Sequence, residues 1–234
     1  MSYQQKQLLS QATRDGKIEE ILPILGPDYD FADDAAGIVN MAAHYGNEAL
    51  VLQALDLGAS AAKGDGDSFP IISACGSGRL SLVKLLLERG AQINVMNKHG
   101  ETAIKAAARN GQIKEMKFLI QAGASLDGAM NAAVDHLRIP AVKFLIEVGA
   151  PLDQLGHSGL TPLMNACSAG KKKGSEIALL LLRAGADPTY VREGDGMSAT
   201  KFALWGQCTN EVFTELLLKG APGVEDGFPI IRLV

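Results

Sequence analysis

The dipeptide Gly-Ala recurs six times in this chain, at Gly58-Ala59, Gly90-Ala91, Gly123-Ala124, Gly149-Ala150, Gly185-Ala186 and Gly220-Ala221. Successive glycines stand 32, 33, 26, 36 and 35 residues apart. A recurrence near 33 marks a repeat architecture, in which each unit is a small supersecondary element that buries its apolar face only against its neighbours. The recurrence also changes what function to look for. Stacked repeats offer a long surface instead of one deep catalytic pocket, so binding of a partner becomes the expected role.

An apolar run at helical spacing precedes each Gly-Ala, as in Leu82, Val83, Leu85, Leu86 and Leu87 before Gly90. The glycine is placed to end that helix in the left-handed conformation. Upstream lies a shorter, Ala-rich helical stretch, seen at 71–76, 104–109 and 163–168, whose small side chains let paired helices approach closely. Asp- and Gly-rich segments suited to tight turns connect the units.

Thr161-Pro162-Leu163-Met164-Asn165-Ala166-Cys167 resembles the ankyrin signature Thr-Pro-Leu-His-x-Ala, with Met164 in place of the histidine. Weaker copies begin at Phe69, Thr102 and Ser198, and residues 111–120 follow the family's second-helix pattern. Asn40, Ile72, Lys105, Asn131 and Lys201 stand at the other histidine positions. The resemblance covers nearly the whole chain. It implies an all-α fold, an ankyrin-repeat solenoid of about seven stacked helix pairs with short β-turn fingers. The pairs fall roughly at 5–26, 37–58, 69–90, 102–123, 128–149, 161–185 and 198–220.

Residues 1–234 are expected to form a single ankyrin-repeat domain, with an N-terminal cap pair at 5–26 and six repeats over 27–220. Residues 221–234 read as a C-terminal stub or as the start of a further repeat, because 228–231 repeat the Phe-Pro-Ile-Ile of 69–72. The 26-residue step requires Leu126-Asp127-Gly128 to join two repeats almost directly. The 36-residue step is expected to hold a Lys171-Lys172-Lys173-Gly174 loop, and the 35-residue step to lengthen the finger at 187–197.

Composition narrows the partner. No apolar stretch reaches membrane-spanning length, and the N-terminus carries no secretory-signal pattern. Cys75, Cys167 and Cys208 are the three cysteines, which suggests a reducing compartment and a cytoplasmic location. A formal net charge of −4 argues against nucleic acid and for a protein partner, and suits a basic one. The acids cluster at Asp28, Asp30, Asp33 and Asp34, at Asp65 and Asp67, and at Glu193 and Asp195. They form either a steering rim or simply good turns.

Ankyrin proteins commonly grip partners with finger tips and with the end of the first helix, and the resemblance carries those positions onto this chain. The helix positions are His44, Tyr45, Gly76, Ser77, Arg109, Asn110, Asp135, His136, Ser168, Ala169, Trp205 and Gly206. The finger positions are Asp33, Asp34, Asp65, Lys98, His99, Glu101, His157, Ser158 and Asp195. Tyr45, Arg109 and Trp205 are the expected anchors, being of the side-chain types enriched in binding hot spots. Trp205 has an equal alternative as a local cap over the final pair. No nucleophile triad, phosphate loop or metal-ligand spacing accompanies these residues, so neither catalysis nor a cofactor or metal is expected. Lys171–Lys173 reads as a solvated segment or as a contact for acidic protein or lipid. Two functional classes remain. One is a monomeric cytosolic scaffold or adaptor. The other is an inhibitor or immunity protein neutralising an enzyme or toxin, or a secreted effector binding a host protein.

Overall fold

The computed structural model describes residues 10–14, 16, 18–26, 30 and 35–222. Contacts divide the chain into two compact units, Met1–Ala107 with Lys114–Ser125, and Ala108–Ile113 with Leu126–Val234. Helical residues 10–14 precede α1 (Ile18–Leu25). Six helix pairs follow: α2 (Ala36–Tyr45) with α3 (Glu48–Asp56), α4 (Pro70–Ser77) with α5 (Leu80–Glu88), and α6 (Ala103–Asn110) with α7 (Ile113–Gln121). The later three are α8 (Ala129–Asp135) with α9 (Ile139–Glu147), α10 (Pro162–Ala169) with α11 (Lys171–Ala184), and α12 (Ala199–Trp205) with α13 (Asn210–Leu218). Extended pairing among the described residues is limited to one isolated antiparallel bridge, Val191 to Ser198. The acidic positions Asp28, Asp33 and Asp34, and residues 223–234, lie outside the described residues.

The second helices share one burial code. Leu50, Val51 and Ala54 of α3 are buried, as are Leu82, Val83 and Leu86 of α5 and Ala141, Val142 and Leu145 of α9. Ile177, Ala178 and Leu181 of α11 and Val212, Phe213 and Leu216 of α13 repeat it. Positions i, i+1 and i+4 lie on one helical face, so each of these second helices turns the same stripe inward.

All six Gly-Ala glycines take left-handed φ angles between 74° and 105°. Each following alanine donates its N–H to the carbonyl five residues back, as Ala91 does to Leu86 at 2.9 Å and Ala186 to Leu181 at 3.0 Å. This pattern satisfies carbonyls that the helix end would otherwise leave open. The first helices α10 and α12 start on side-chain caps: Thr161 Oγ1 accepts from the Met164 N–H, and Ser198 Oγ from the Lys201 N–H. Pro70 and Pro162 occupy first turns, where no N–H is needed.

The short step is as direct as its length demands, since Gly128 (φ 71°) caps α8 itself. One local expectation is corrected. Lys171–Lys173 is not a loop but the first turn of α11, whose 14 residues make it the longest helix described. Close approach explains how: the Lys171 N–H reaches the Gly206 carbonyl at 3.2 Å, a Cβ on Gly170 would overlap the Gly206 backbone, and one on Gly206 would overlap the Cys167 carbonyl. Only glycine permits that contact.

Candidate interaction surface

The fingers of the first unit are built by short side chains folding back on their own turns. Asp65 Oδ1 accepts from the N–H groups of Asp67 (3.0 Å) and Ser68 (2.8 Å), and Asp65 Oδ2 accepts from Asn40 Nδ2 at 2.7 Å. In the next finger Asn97 Oδ1 accepts from the His99 and Glu101 N–H groups, at 3.0 and 2.9 Å. Asn97 Nδ2 donates to the Asp67 carbonyl at 3.0 Å, and Lys98 pairs with Asp67. That ammonium holds the Asp67 carboxyl below its usual value.

The second unit uses the same devices with different residues. Asp195 accepts both a bidentate contact from Arg192 and the Met197 N–H at 3.2 Å. The Arg192 guanidinium holds Asp195 down to about 2. Arg192 also donates to the Ser158 carbonyl at 3.3 Å, tying one finger to the next. Asp65, Asp67 and Asp195 are thus committed to turns and pairs, which favours the turn-forming role for these acids over a free acidic rim.

Four of the six substituted histidine positions prove to be finger ties. Lys105 Nζ donates to the Gly100 carbonyl at 2.7 Å, and Lys201 Nζ to Gly196 at 3.1 Å. Asn131 Nδ2 reaches the Gln154 carbonyl at 3.0 Å, as Asn40 reaches Asp65. At these four positions residue identity varied while the task, a donor aimed at a finger, stayed constant; at the other two, Ile72 and Met164 are buried apolar side chains instead.

The first-helix candidates differ from one another. His44 is exposed and meets Tyr45 edge to face, with ring centroids 5.4 Å apart. Tyr45 itself is half-buried: its hydroxyl lies 3.1 Å from Ser10 Oγ, and the Arg14 guanidinium sits 4.9 Å from its ring centre. Ser10 and Arg14 together hold the phenol below its usual value. Arg109 and Asn110 are half-buried at the end of α6, with the Arg109 carbonyl accepting from Arg138 Nε at 2.9 Å. Asp135 accepts from Asn165 Nδ2 at 2.8 Å; loss of water pushes its carboxyl up, against the opposing pull of His136. His136 is exposed, with Nδ1 3.2 Å from the Ala132 carbonyl. Trp205 is 70% exposed and meets Phe202 edge-on. On the fingers His99 and His157 are exposed, and Glu101 is half-buried.

Three of the exposed apolar side chains not singled out from sequence are Met96 in the first unit and Leu155 and Val191 in the second; Leu22, Leu52, Leu57, Val148, Leu217 and Leu218, on or at the ends of helices, are exposed as well. The first three sit on fingers, Met96 and Leu155 within three residues of His99 and His157. Their signal was faint, being single apolar residues inside polar turns. Among the described residues no group of three His, Cys, Asp or Glu side chains gathers as metal ligands, and no helix is long and apolar enough to cross a membrane.

Helix pairs closed by left-handed glycine and joined through tied fingers are the architecture the signature implied. A family model described as ankyrin repeats (3 copies) matches residues 39–130, and one described as ankyrin repeat matches residues 158–192. The chain belongs to the ankyrin-repeat family. Such repeats generally serve as non-catalytic modules for protein–protein interaction. This ankyrin-repeat chain is 32% identical over 142 residues to ankyrin repeat protein nuc-2 of Neurospora crassa, a match covering 60% of this chain and 10% of that protein. It therefore spans about a tenth of the relative's length. The human ASB11 ankyrin repeat domain shares its fold, with a TM-score of 0.70 over 92% of this chain and 98% of that domain at 23% identity.

Proposed function

We propose that this ankyrin-repeat protein binds a protein partner with its fingers and first-helix ends. The observation that carries the reading is the exposure of Met96, Leu155 and Val191 on fingers otherwise locked by their own hydrogen bonds. Apolar side chains held in water on a rigid frame lose little further entropy when a partner covers them. His44, His99, His136 and His157 are among the exposed members of the sequence-derived set and would touch the partner directly. Tyr45, Lys98, Glu101, Arg109, Asn110, Asp135 and Asp195 would hold the surface in shape around them. The net charge of −4 favours a basic partner, through faster encounter more than tighter grip. Three free cysteines suit a reducing cytoplasm.

The test is capture by the immobilised chain beside a Met96→Ala/His99→Ala/Leu155→Ala/His157→Ala variant with unchanged circular dichroism. A protein held by the first and lost by the second supports the reading, and loss at high salt supports a basic partner. Equal capture by both would sink the assignment. Where the captured protein is an enzyme or toxin, abolition of its activity by the chain makes this an inhibitor, and retention makes it an adaptor.

A further inference from the structure

Cys167 and Cys208 come from successive helix pairs, 41 residues apart, and the fold sets them against each other. Cys167 lies in the last turn of α10 and is fully buried. Cys208 sits in the turn between α12 and α13 with 9% of its surface open, flanked by exposed Gln207 and Thr209. The Cys208 sulfur is therefore the one that a small solute reaches first. The bare Cα of Gly206 rests against the Cys167 and Ser168 carbonyls, which draws the turn onto α10. There the Cys208 thiol donates to the Cys167 carbonyl at 3.4 Å, and the Cys167 thiol hydrogen-bonds to the Cys208 sulfur. Ser175, buried on α11, completes the setting. Its Oγ accepts from the Thr209 N–H at 3.2 Å, and its hydroxyl hydrogen-bonds Cys208.

These contacts give the two sulfurs opposite characters. The bond from Cys167 holds the Cys208 thiol below the ordinary value, with help from Ser175 and against the effect of burial. The same bond, with burial, holds Cys167 well above it. Cys75, buried in α4 of the first unit, is pushed up by loss of water and by the Glu115 carboxylate. The chain thus carries one accessible nucleophilic sulfur, one protonated neighbour in contact with it, and one inert thiol.

We propose that Cys208 and Cys167 form a peroxide-responsive dithiol, in which Cys208 is oxidised first and Cys167 resolves it to a disulfide. The Cys208 thiolate attacks one oxygen of hydrogen peroxide, so that the O–O bond breaks and an S–O bond forms. Two electrons pass from sulfur to peroxide, and the departing hydroxide takes up the proton that Cys208 had released. The Cys167 sulfur then attacks Cys208 Sγ. An S–S bond forms, the S–O bond breaks, and the second hydroxide leaves with the Cys167 proton as water. Two thiols and one peroxide become one disulfide and two waters. Thiols already in contact reach disulfide geometry by side-chain rotation. The bridge ties the end of α10 to the turn after α12, and so fixes Ser168 and Ala169 relative to Trp205. A reducing cytoplasm keeps the pair open until oxidant arrives. The inference is independent of the finger surface proposed above.

The test exposes the full chain to a slight excess of hydrogen peroxide and blocks the remaining thiols with N-ethylmaleimide. Mass spectrometry then reads the unreduced digest. A linked Cys167–Cys208 peptide, two hydrogens lighter than its parts, is expected, with Cys75 recovered as the maleimide adduct. Recovery of both Cys167 and Cys208 as adducts overturns the proposal, as does Cys208 carried on to sulfinic acid beside a free Cys167. A link between chains, seen as a covalent dimer without reductant, overturns it equally. Cys167→Ser separates the two roles, since Cys208 should then stop at a sulfenic acid that dimedone traps. Equal trapping at Cys167 in a Cys208→Ser chain refutes the order of attack. Should either variant lose helicity, the linked peptide of the unaltered chain decides.

Discussion

The early and late helix pairs make the turn between their two helices differently. In the early pairs the left-handed residue is glycine: Gly46 (φ 74°), Gly78 (φ 70°) and Gly111 (φ 73°). In the late pairs it is Leu137 (φ 51°), Lys171 (φ 46°) and Gln207 (φ 55°). A Cβ in that conformation costs roughly 1–2 kcal/mol. Two late turns keep the bond the early ones make, the Leu137 N–H reaching Val134 and the Gln207 N–H Leu204 as the Gly46 N–H reaches Ala43, while the Lys171 N–H reaches Gly206. Repeat identity thus resides in the shape of the turn, and glycine is one means of making it.

That contrast is most severely tested in the core. Leu86→Ala in the early pairs and Leu181→Ala in the late pairs should each cost about 2–5 kcal/mol, since both side chains are fully buried. Similar losses in chemical denaturation would show that both regions share one burial code; a loss below ~1 kcal/mol at Leu181 would break the equivalence. Gly206→Ala should cost about 1–3 kcal/mol by forcing α12 off the Cys167 carbonyl. Thermal melting that matches the unaltered chain would remove the close approach from the account.

Gly111→Ala probes the turn itself, because its Cβ would meet only Arg138 side-chain atoms at 3.6 Å or more. The expected loss is about 1 kcal/mol from φ alone, whereas Gln207→Gly should gain roughly 0.5 kcal/mol by releasing the same strain. If both changes destabilise equally, Gln207 does more than bear strain. Gly90→Val belongs with the first of these, as nothing lies within 4 Å of its Cβ.

The smallest effect is in the long finger. Asp195 is held at about 2, below its ordinary 3.8, so its grip on Arg192 is complete above the ordinary value and lost as pH falls towards the folded one. Carboxylate titration by NMR should place that midpoint well below 3.8 in the native chain and near 3.8 in Arg192→Met. An unshifted midpoint in the native chain would deny the pair.

Much of the fold was legible because its signals are local. A Gly-Ala after an apolar run specifies a helix end whatever lies nearby, so the six punctuations and pair boundaries follow from residues a few positions apart. The Lys171–Lys173 turn was not legible, because its helical state depends on Gly206, distant in sequence, offering a bare Cα. Nor were the finger ties. Lys105 and Asn131 share no sequence rule, and each becomes a tie only when folding brings a finger carbonyl within reach.

Tyr45 and Trp205 divide most clearly. Both are hot-spot residue types at adjacent signature positions, yet Tyr45 is engaged by Ser10 and Arg14 while Trp205 stands open on a cleft. By itself the sequence determined which stripe the second helices bury and how they end, since these depend on propensity and spacing within one repeat. Tertiary structure alone decided which side chains are committed to neighbouring turns and which remain for a partner, because exposure depends on what the adjacent repeat brings alongside.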